Sequence, residues 1–359
     1  MSTTEPCTLY LGTEDGLLVA RFDPGESDAT GSDADEIEII GRAVEGNAVR
    51  AISVDPSEPA SAYVGCGLRG WGLYRISDWG ERVESLGFED RWVWGIGRAP
   101  ADSGTADSQT GDSQTGDPQT DDPDTLYVGT EPPMVYVSSD GGETFEACAE
   151  VDNLPSRPNW TFFHEPFHAG HVHGIAVHPA RPERIFAGVE HGALIYSPDG
   201  GQTWREALVG QDLHRVAVDP TDPDRVFAAT GSGLYLSEDA GQEWTLIGDL
   251  RGLYLHAIVF DPDDPRRMYV YADREGTPIY RSDDGGDSWE SVGGDLPAAS
   301  PADTLRLYPG DSETLLYAGD VGEDGSRLFV STDAGQHWER IDEPLPKVWR
   351  LAVAPWPED

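Results

Sequence analysis

Short apolar runs that stop at a proline recur seven times along this chain, at Pro56, Pro100, Pro179, Pro220, Pro262, Pro309 and Pro355. Gly174-Ile175-Ala176-Val177, closed by His178-Pro179, is typical. A proline cannot donate to a ladder, so it marks the end of a strand. A second apolar run follows six of the seven prolines, as in Ala62-Tyr63-Val64, Ile185-Phe186-Ala187 and Leu315-Leu316-Tyr317. A third run comes next, Ala193-Leu194-Ile195-Tyr196 in the typical unit. In five units a polar turn then intervenes before a fourth short strand. It reads Ser197-Pro198-Asp199-Gly200-Gly201-Gln202-Thr203-Trp204 in one, and recurs around Asp140, Asp239, Asp284 and Asp333.

The aligned Asp199, Asp239, Asp284 and Asp333 are 40, 45 and 49 residues apart. A four-stranded propeller blade takes about 40–50 residues. The pattern therefore predicts an all-β chain: a seven-bladed β-propeller of four-stranded antiparallel blades, forming one domain over residues 1–359. The seventh proline, Pro355, has almost no chain after it, while Leu9-Tyr10-Leu11-Gly12 and Leu17-Leu18-Val19-Ala20 read as second and third strands without a first. The last blade is thus expected to form from both termini, which closes the ring by pairing N- and C-terminal strands and removes open edges. Two polar segments interrupt the repeat: residues 101–125, expected to be a disordered acidic insertion within a blade, and a shorter acidic loop over Asp23 to Glu36.

The turn motif resembles that of the Asp-box, or BNR-repeat, propellers, a class that includes sialidases, xyloglucanases, sortilin-type receptors and a photosystem assembly factor. The resemblance covers nearly the whole chain and implies a fold rather than an activity. It makes Asp140, Asp199, Asp239, Asp284 and Asp333 structural: each carboxylate is expected to accept backbone N–H groups of its own turn, beside glycines that allow positive φ. Sialidase chemistry is not expected, because Tyr74-Arg75-Ile76-Ser77 lacks the family's proline and no arginine triad is apparent.

Charge changes the picture next. The formal net charge is −42, and Lys347 is the only lysine. Acidic excess with lysine depletion reads as a halophilic surface and argues against nucleic-acid binding, which needs positive potential to release counterions. No apolar run spans a bilayer and no signal segment is visible, so a cytoplasmic location away from membranes is expected. Cys7, Cys66 and Cys148 are too few and scattered for a disulfide framework.

Candidate chemistry follows from the repeat register. The position six residues before each strand-ending proline should fall on the face opposite the Asp-box turns, around the channel mouth. That ring is Arg50, Trp94, His173, His214, His256, Asp303 and Trp349, to which the loops add the aromatic Trp160. Three consecutive blades offer histidine there, and His171 and His191 lie close by. These five histidines are candidate ligands for a divalent transition metal, helped by His164, Glu165 and His168 of the insertion over Val151 to Gly170. Asp303, Glu190 and Glu131 are candidate catalytic carboxylates. The face could serve two ends: non-catalytic binding of a small molecule, carbohydrate or protein, or glycoside hydrolysis, metal-assisted or not. A carboxylate pair about 5–9.5 Å apart would favour the second.

Overall fold

The computed structural model describes residues 5–24, 36–55, 57–99, 124–273, 278–294, 296 and 303–357. Most of the 101–125 tract and of the acidic loop before Glu36 lies outside them, as do Pro56 and Pro100. Thr125 already belongs to a strand, Thr125–Glu131.

Seven four-stranded antiparallel sheets are arranged as blades. Their innermost strands are Val49–Val54, Trp92–Ala99, His171–His178, Leu213–Asp219, Leu255–Phe260, Leu305–Tyr308 and Val348–Pro355, numbered here as blades 1 to 7. Blade 7 is completed from the N-terminus. Val348–Pro355 pairs antiparallel with Cys7–Thr13, in register Leu9 to Val353 and Leu11 to Leu351. Gly16–Asp23 and Glu36–Ala43 then follow outward. The ring is therefore closed by pairing of the two chain ends, as the pattern of apolar runs predicted.

The core lies between blades rather than within any one of them. Seven buried apolar clusters occupy the seven interfaces. The thickest joins blades 6 and 7, through Leu316, Ala318 and Leu328 against Leu9, Leu11 and Leu351. The thinnest joins blades 1 and 2, where Leu73, Val93 and Val128 are the fully buried members. Inner strands approach so closely that a Cβ on Gly95 would lie 2.9 Å from the carbonyl oxygen of His173.

The five Asp-box turns behave as their chemistry requires. In blade 3, Ser197 Oγ donates to Asp199 Oδ1 at 2.9 Å, and the same carboxylate accepts the Thr203 N–H at 2.8 Å and its hydroxyl at 2.7 Å. Trp204 Nε1 donates to the Gly201 carbonyl at 3.0 Å, which fixes the ring over the turn. Gly201 has φ of +90°, open to glycine at little cost. These aspartates are consumed by the fold.

Candidate functional site at the channel mouth

The ring position coincides with a backbone irregularity. The ladder between first and second strands skips one residue at Arg50, Trp94, His173, His214 and His256, and at Trp349 in the closing blade. Each is a β-bulge, a device that re-aims one side chain out of the alternation of its strand. In blade 6, Asp303 precedes the inner strand and bridges to Arg350. The register counted from prolines thus lands on six bulges and one bridge.

A cavity of about 230 Å³ opens here, lined by Arg50, Trp94, His173, His214, Arg215, Asp303, Arg306 and Arg350 among others. Arg306 grips Asp303 with two contacts, 2.6 and 3.1 Å, and Arg215 approaches the same carboxylate at 3.4 Å. Burial opposes ionisation of Asp303, but Arg306, Arg215 and Arg350 outweigh it and hold its carboxyl well below the usual range. Burial pulls Arg350 down to about 10; Asp303 resists and the neighbouring arginines add to the fall. Arg350 Nε donates to the Arg50 carbonyl at 2.6 Å, and its Nη2 donates to His173 Nε2. Arg50 lies between two indoles, 4.8 Å from Trp349 and 5.8 Å from Trp94.

Beside this cationic wall runs a belt of alternating carboxylates and imidazoles. His171 Nε2 donates to Glu190 Oε2 at 2.8 Å, and its Nδ1 faces Glu131 Oε2 at 3.4 Å. Burial disfavours the His171 imidazolium, yet Glu190 and Glu131 together push its pKa up to about 9. His171 likewise holds Glu190 down against burial. Farther along, Tyr254 donates to Asp212 at 2.6 Å, and His214 Nε2 lies 3.4 Å from that carboxylate. His214 Nδ1 donates to the Leu255 carbonyl at 2.7 Å. Burial lowers His256 to about 3, and His214, stacked at 4.8 Å, adds to the effect. His173 also falls, through burial and then Arg350.

The predicted residues therefore divide. Arg50, Trp94, His173, His214 and Asp303 converge on the cavity, and Trp349 caps Arg50 from the side. His256 is buried behind His214. Three sets of side chains have the mutual spacing of metal ligands: Glu131, His164 and His171; His171, His173 and Glu190; and Glu190, Asp212 and His214. His256 and His191 belong to none of these sets among the described residues. His191 Nε2 instead lies 3.7 Å from Asp212. Trp160 is buried and donates its indole N–H to Ser156 Oγ at 2.8 Å, so it anchors the insertion from beneath. Glu165 and His168 are exposed at its tip.

Arg215, Arg306, Asp212 and Tyr254 escaped the sequence reading. Asp212 and Tyr254 had a signal: they lie two residues before the ring positions His214 and His256, as His171 lies before His173 and Trp92 before Trp94.

A larger hollow of about 420 Å³ lies at the Asp-box turns of blades 5 and 6. Its Arg267 and Arg281 are paired with aspartates and glutamate.

Residues 232–354 match the family described as Sortilin, neurotensin receptor 3, also called Sortilin-Vps10. Those residues carry three of the five Asp-box turns in the ring described above. The chain is a seven-bladed β-propeller with Asp-box turns. No curated protein matches the sequence of the propeller. Its fold is similar to that of a GH74 xyloglucanase from Xanthomonas campestris, with 20% identity and a TM-score of 0.57 over 82% of this chain and 45% of that one. An ancestral GH74 enzyme gives 17% and 0.57 over 82% and 39%. The propeller thus spans less than half the length of either enzyme. A YCF48 structure bound to a D1 peptide gives 16% and 0.52 over 83% of both chains. At these identities the likeness is one of fold. Among the described residues, no helix is long and apolar enough to cross a membrane.

Proposed function

We propose that this propeller is a non-catalytic binding module that captures a carboxylate-bearing ligand, presented by a small molecule or an acidic peptide, at the channel mouth. One observation carries the reading: Arg50, Arg215, Arg306 and Arg350 line the same cavity, whose described lining holds one carboxylate, Asp303, while Glu14 reaches Arg50 at 3.3 Å from outside it, in a chain of net charge −42. Positive charge is scarce here, and its concentration in one concave, partly desolvated place suits an anion, for which guanidinium offers forked donors. Next to it lies an aromatic shelf, with Trp71 and Phe163 exposed and Trp92 and Phe167 packed beside Trp71. Such rings supply the apolar contact that a peptide or sugar needs. The YCF48 relative is bound to a D1 peptide, which supports a peptide as occupant.

The glycosidase alternative asks for a carboxylic acid kept protonated near neutral pH. Glu190, Asp212 and Asp303 shift the other way, downward. That favours binding over hydrolysis.

The test is calorimetric titration in high salt with a short acidic peptide as its free acid and as its fully amidated form, using wild type and Arg215→Ala. Arg215 is partly exposed, so its loss should leave the fold intact. We expect the free acid to bind at least tenfold more tightly than the amide, and the variant to lose most of that preference. Equal affinity for both forms would sink the reading, and release of reducing ends from xyloglucan would replace it with hydrolysis.

A further inference from the structure

Glu131 is a buried carboxylate that the anion-binding wall does not use. It ends the second strand of blade 2, is fully buried, and neither carboxylate oxygen has a hydrogen-bond partner. An ionised carboxylate left so is strongly disfavoured unless a charge compensates it. The atoms that face its Oε2 are His171 Nδ1 at 3.4 Å and His164 Nδ1 at 3.7 Å. Both nitrogens are also buried and without hydrogen-bond partners. Three unsatisfied atoms from three separate segments thus converge on one point.

We propose that Glu131, His164 and His171 form a divalent transition-metal site of the zinc type. The spacing supports this. Ligand atoms about 2.1 Å from a tetrahedral zinc ion lie roughly 3.4 Å apart. A charge-assisted hydrogen bond between the same groups would be about 2.7–2.9 Å long. The observed 3.4 and 3.7 Å fit the first geometry and miss the second.

The surroundings fix the ligands. His171 donates its Nε2–H to Glu190 at 2.8 Å, which leaves the Nδ1 lone pair toward Glu131. A carboxylate behind a ligating imidazole is the usual way of setting its tautomer and orientation. Trp94 stacks on His171 at 3.9 Å and lies parallel to His164, with 2° between the planes. Phe162 meets His164 edge-on at 4.2 Å. These rings wall the site with apolar surface, and the insertion of residues 151–170 brings both Phe162 and His164. Two imidazoles and a carboxylate suit zinc or a neighbouring late divalent ion, and hard oxygen-seeking calcium or magnesium much less. The site shares the Trp94 ring with the anion-binding wall but none of its three ligands, and neither reading depends on the other.

The rival account is a proton in the metal's place, with His171 as an imidazolium between Glu131 and Glu190. Metal binding by chelator-stripped protein separates the two. In molar salt, which suppresses loose association with the acidic surface, zinc would be titrated in competition with a chromophoric chelator, and cobalt followed by its d–d absorption. We expect one tight equivalent of zinc and an intense tetrahedral cobalt band in wild type. His164→Ala and Glu131→Gln should each weaken zinc at least a hundredfold and abolish the band, whereas Asp212→Asn should leave both unchanged. His164 sits on the insertion, so its variant should fold even if Glu131→Gln does not; circular dichroism checks each. Absence of a tight equivalent in wild type, or an undiminished cobalt band in His164→Ala, would overturn the site. So would loss of binding in Asp212→Asn with His164→Ala unaffected, which would move the metal to the Glu190–Asp212–His214 set.

Discussion

At the scale of single residues, the Asp-box turn shows how one side chain can be spent on the fold and still leave measurable traces. Donation from the hydroxyls of Thr144, Thr203 and Ser288, then from the matching backbone N–H groups, holds Asp140, Asp199 and Asp284 below the ordinary carboxylate range, Asp284 at about 2. A carboxylate depressed in the folded state contributes stability that is present above its unfolded pKa of about 3.9 and is lost as pH falls through the folded value. Asp284→Asn should therefore be less stable than wild type at pH 7, with the gap closing between about pH 4 and pH 2. Urea unfolding across that range checks it, and a gap that persists unchanged at pH 2 would contradict it. The residue after the aspartate has a different debt. Gly141, Gly200 and Gly285 occupy it at φ of +70° to +80°, whereas Ala240 and Ala334 are held at +57° and +56°. Left-handed backbone costs a non-glycine residue about 1–2 kcal/mol, part of which a glycine returns as unfolded-state entropy. Ala240→Gly and Ala334→Gly should each stabilise by about 0.5 kcal/mol, read as a higher urea midpoint at constant slope.

At the scale of elements, the inner strand of each blade does two jobs, and the second was only half legible in the sequence. Strand, proline and turn repeat in a constant order about every 40–50 residues, so blade count, register and closure by both termini could be read directly. The ring position could be read too, because a bulge at a constant distance from a proline survives as a constant offset. What could not be read was which side chains meet across the channel. Arg215 and Arg306 come from blades 4 and 6 and converge on Asp303, and that angular relation is set by the ring as a whole. The pairing of Glu131 with His164 was hidden for another reason: it depends on the path of an insertion that follows no repeat. The closing strand makes the structural job testable. Val348 and Leu351 are fully buried in the interface between blades 6 and 7, and the strand supplies the only first strand that blade 7 has. Truncation before Val348 would expose the edge of Cys7–Thr13 and part of that cluster. It should abolish cooperative unfolding rather than lower the midpoint slightly, and adding the peptide 348–357 in trans should restore part of it. A truncated chain that melts as sharply as wild type would mean that the ring closes without its last strand.

At the scale of the whole molecule, the charge distribution ties the fold to its conditions. The net charge is −42, while Arg50, Arg215, Arg306 and Arg350 gather inside the channel mouth, where they are paired or face one another across the cavity. Self-repulsion of this size destabilises a compact state wherever it is long-ranged. The screening length is about 3 Å in 1 M salt and about 30 Å at 0.01 M, so in dilute buffer acidic groups on neighbouring blades repel one another across the ring. Interfaces should then give way in the order of their apolar content, beginning with the thin contact between blades 1 and 2 built on Leu73, Val93 and Val128. We expect the thermal midpoint to fall steeply between molar and millimolar potassium chloride, with hydrogen exchange rising first in those two blades. Salt also strengthens apolar burial, so the electrostatic part needs its own control. Replacing the exposed Glu45, Glu81 and Glu89 by glutamine removes charge around blades 7, 1 and 2 without touching that apolar core. The variant should lose less stability than wild type on dilution and match it in molar salt. Equal salt dependence in both proteins would assign the effect to burial, and a midpoint indifferent to salt would remove the halophilic reading altogether.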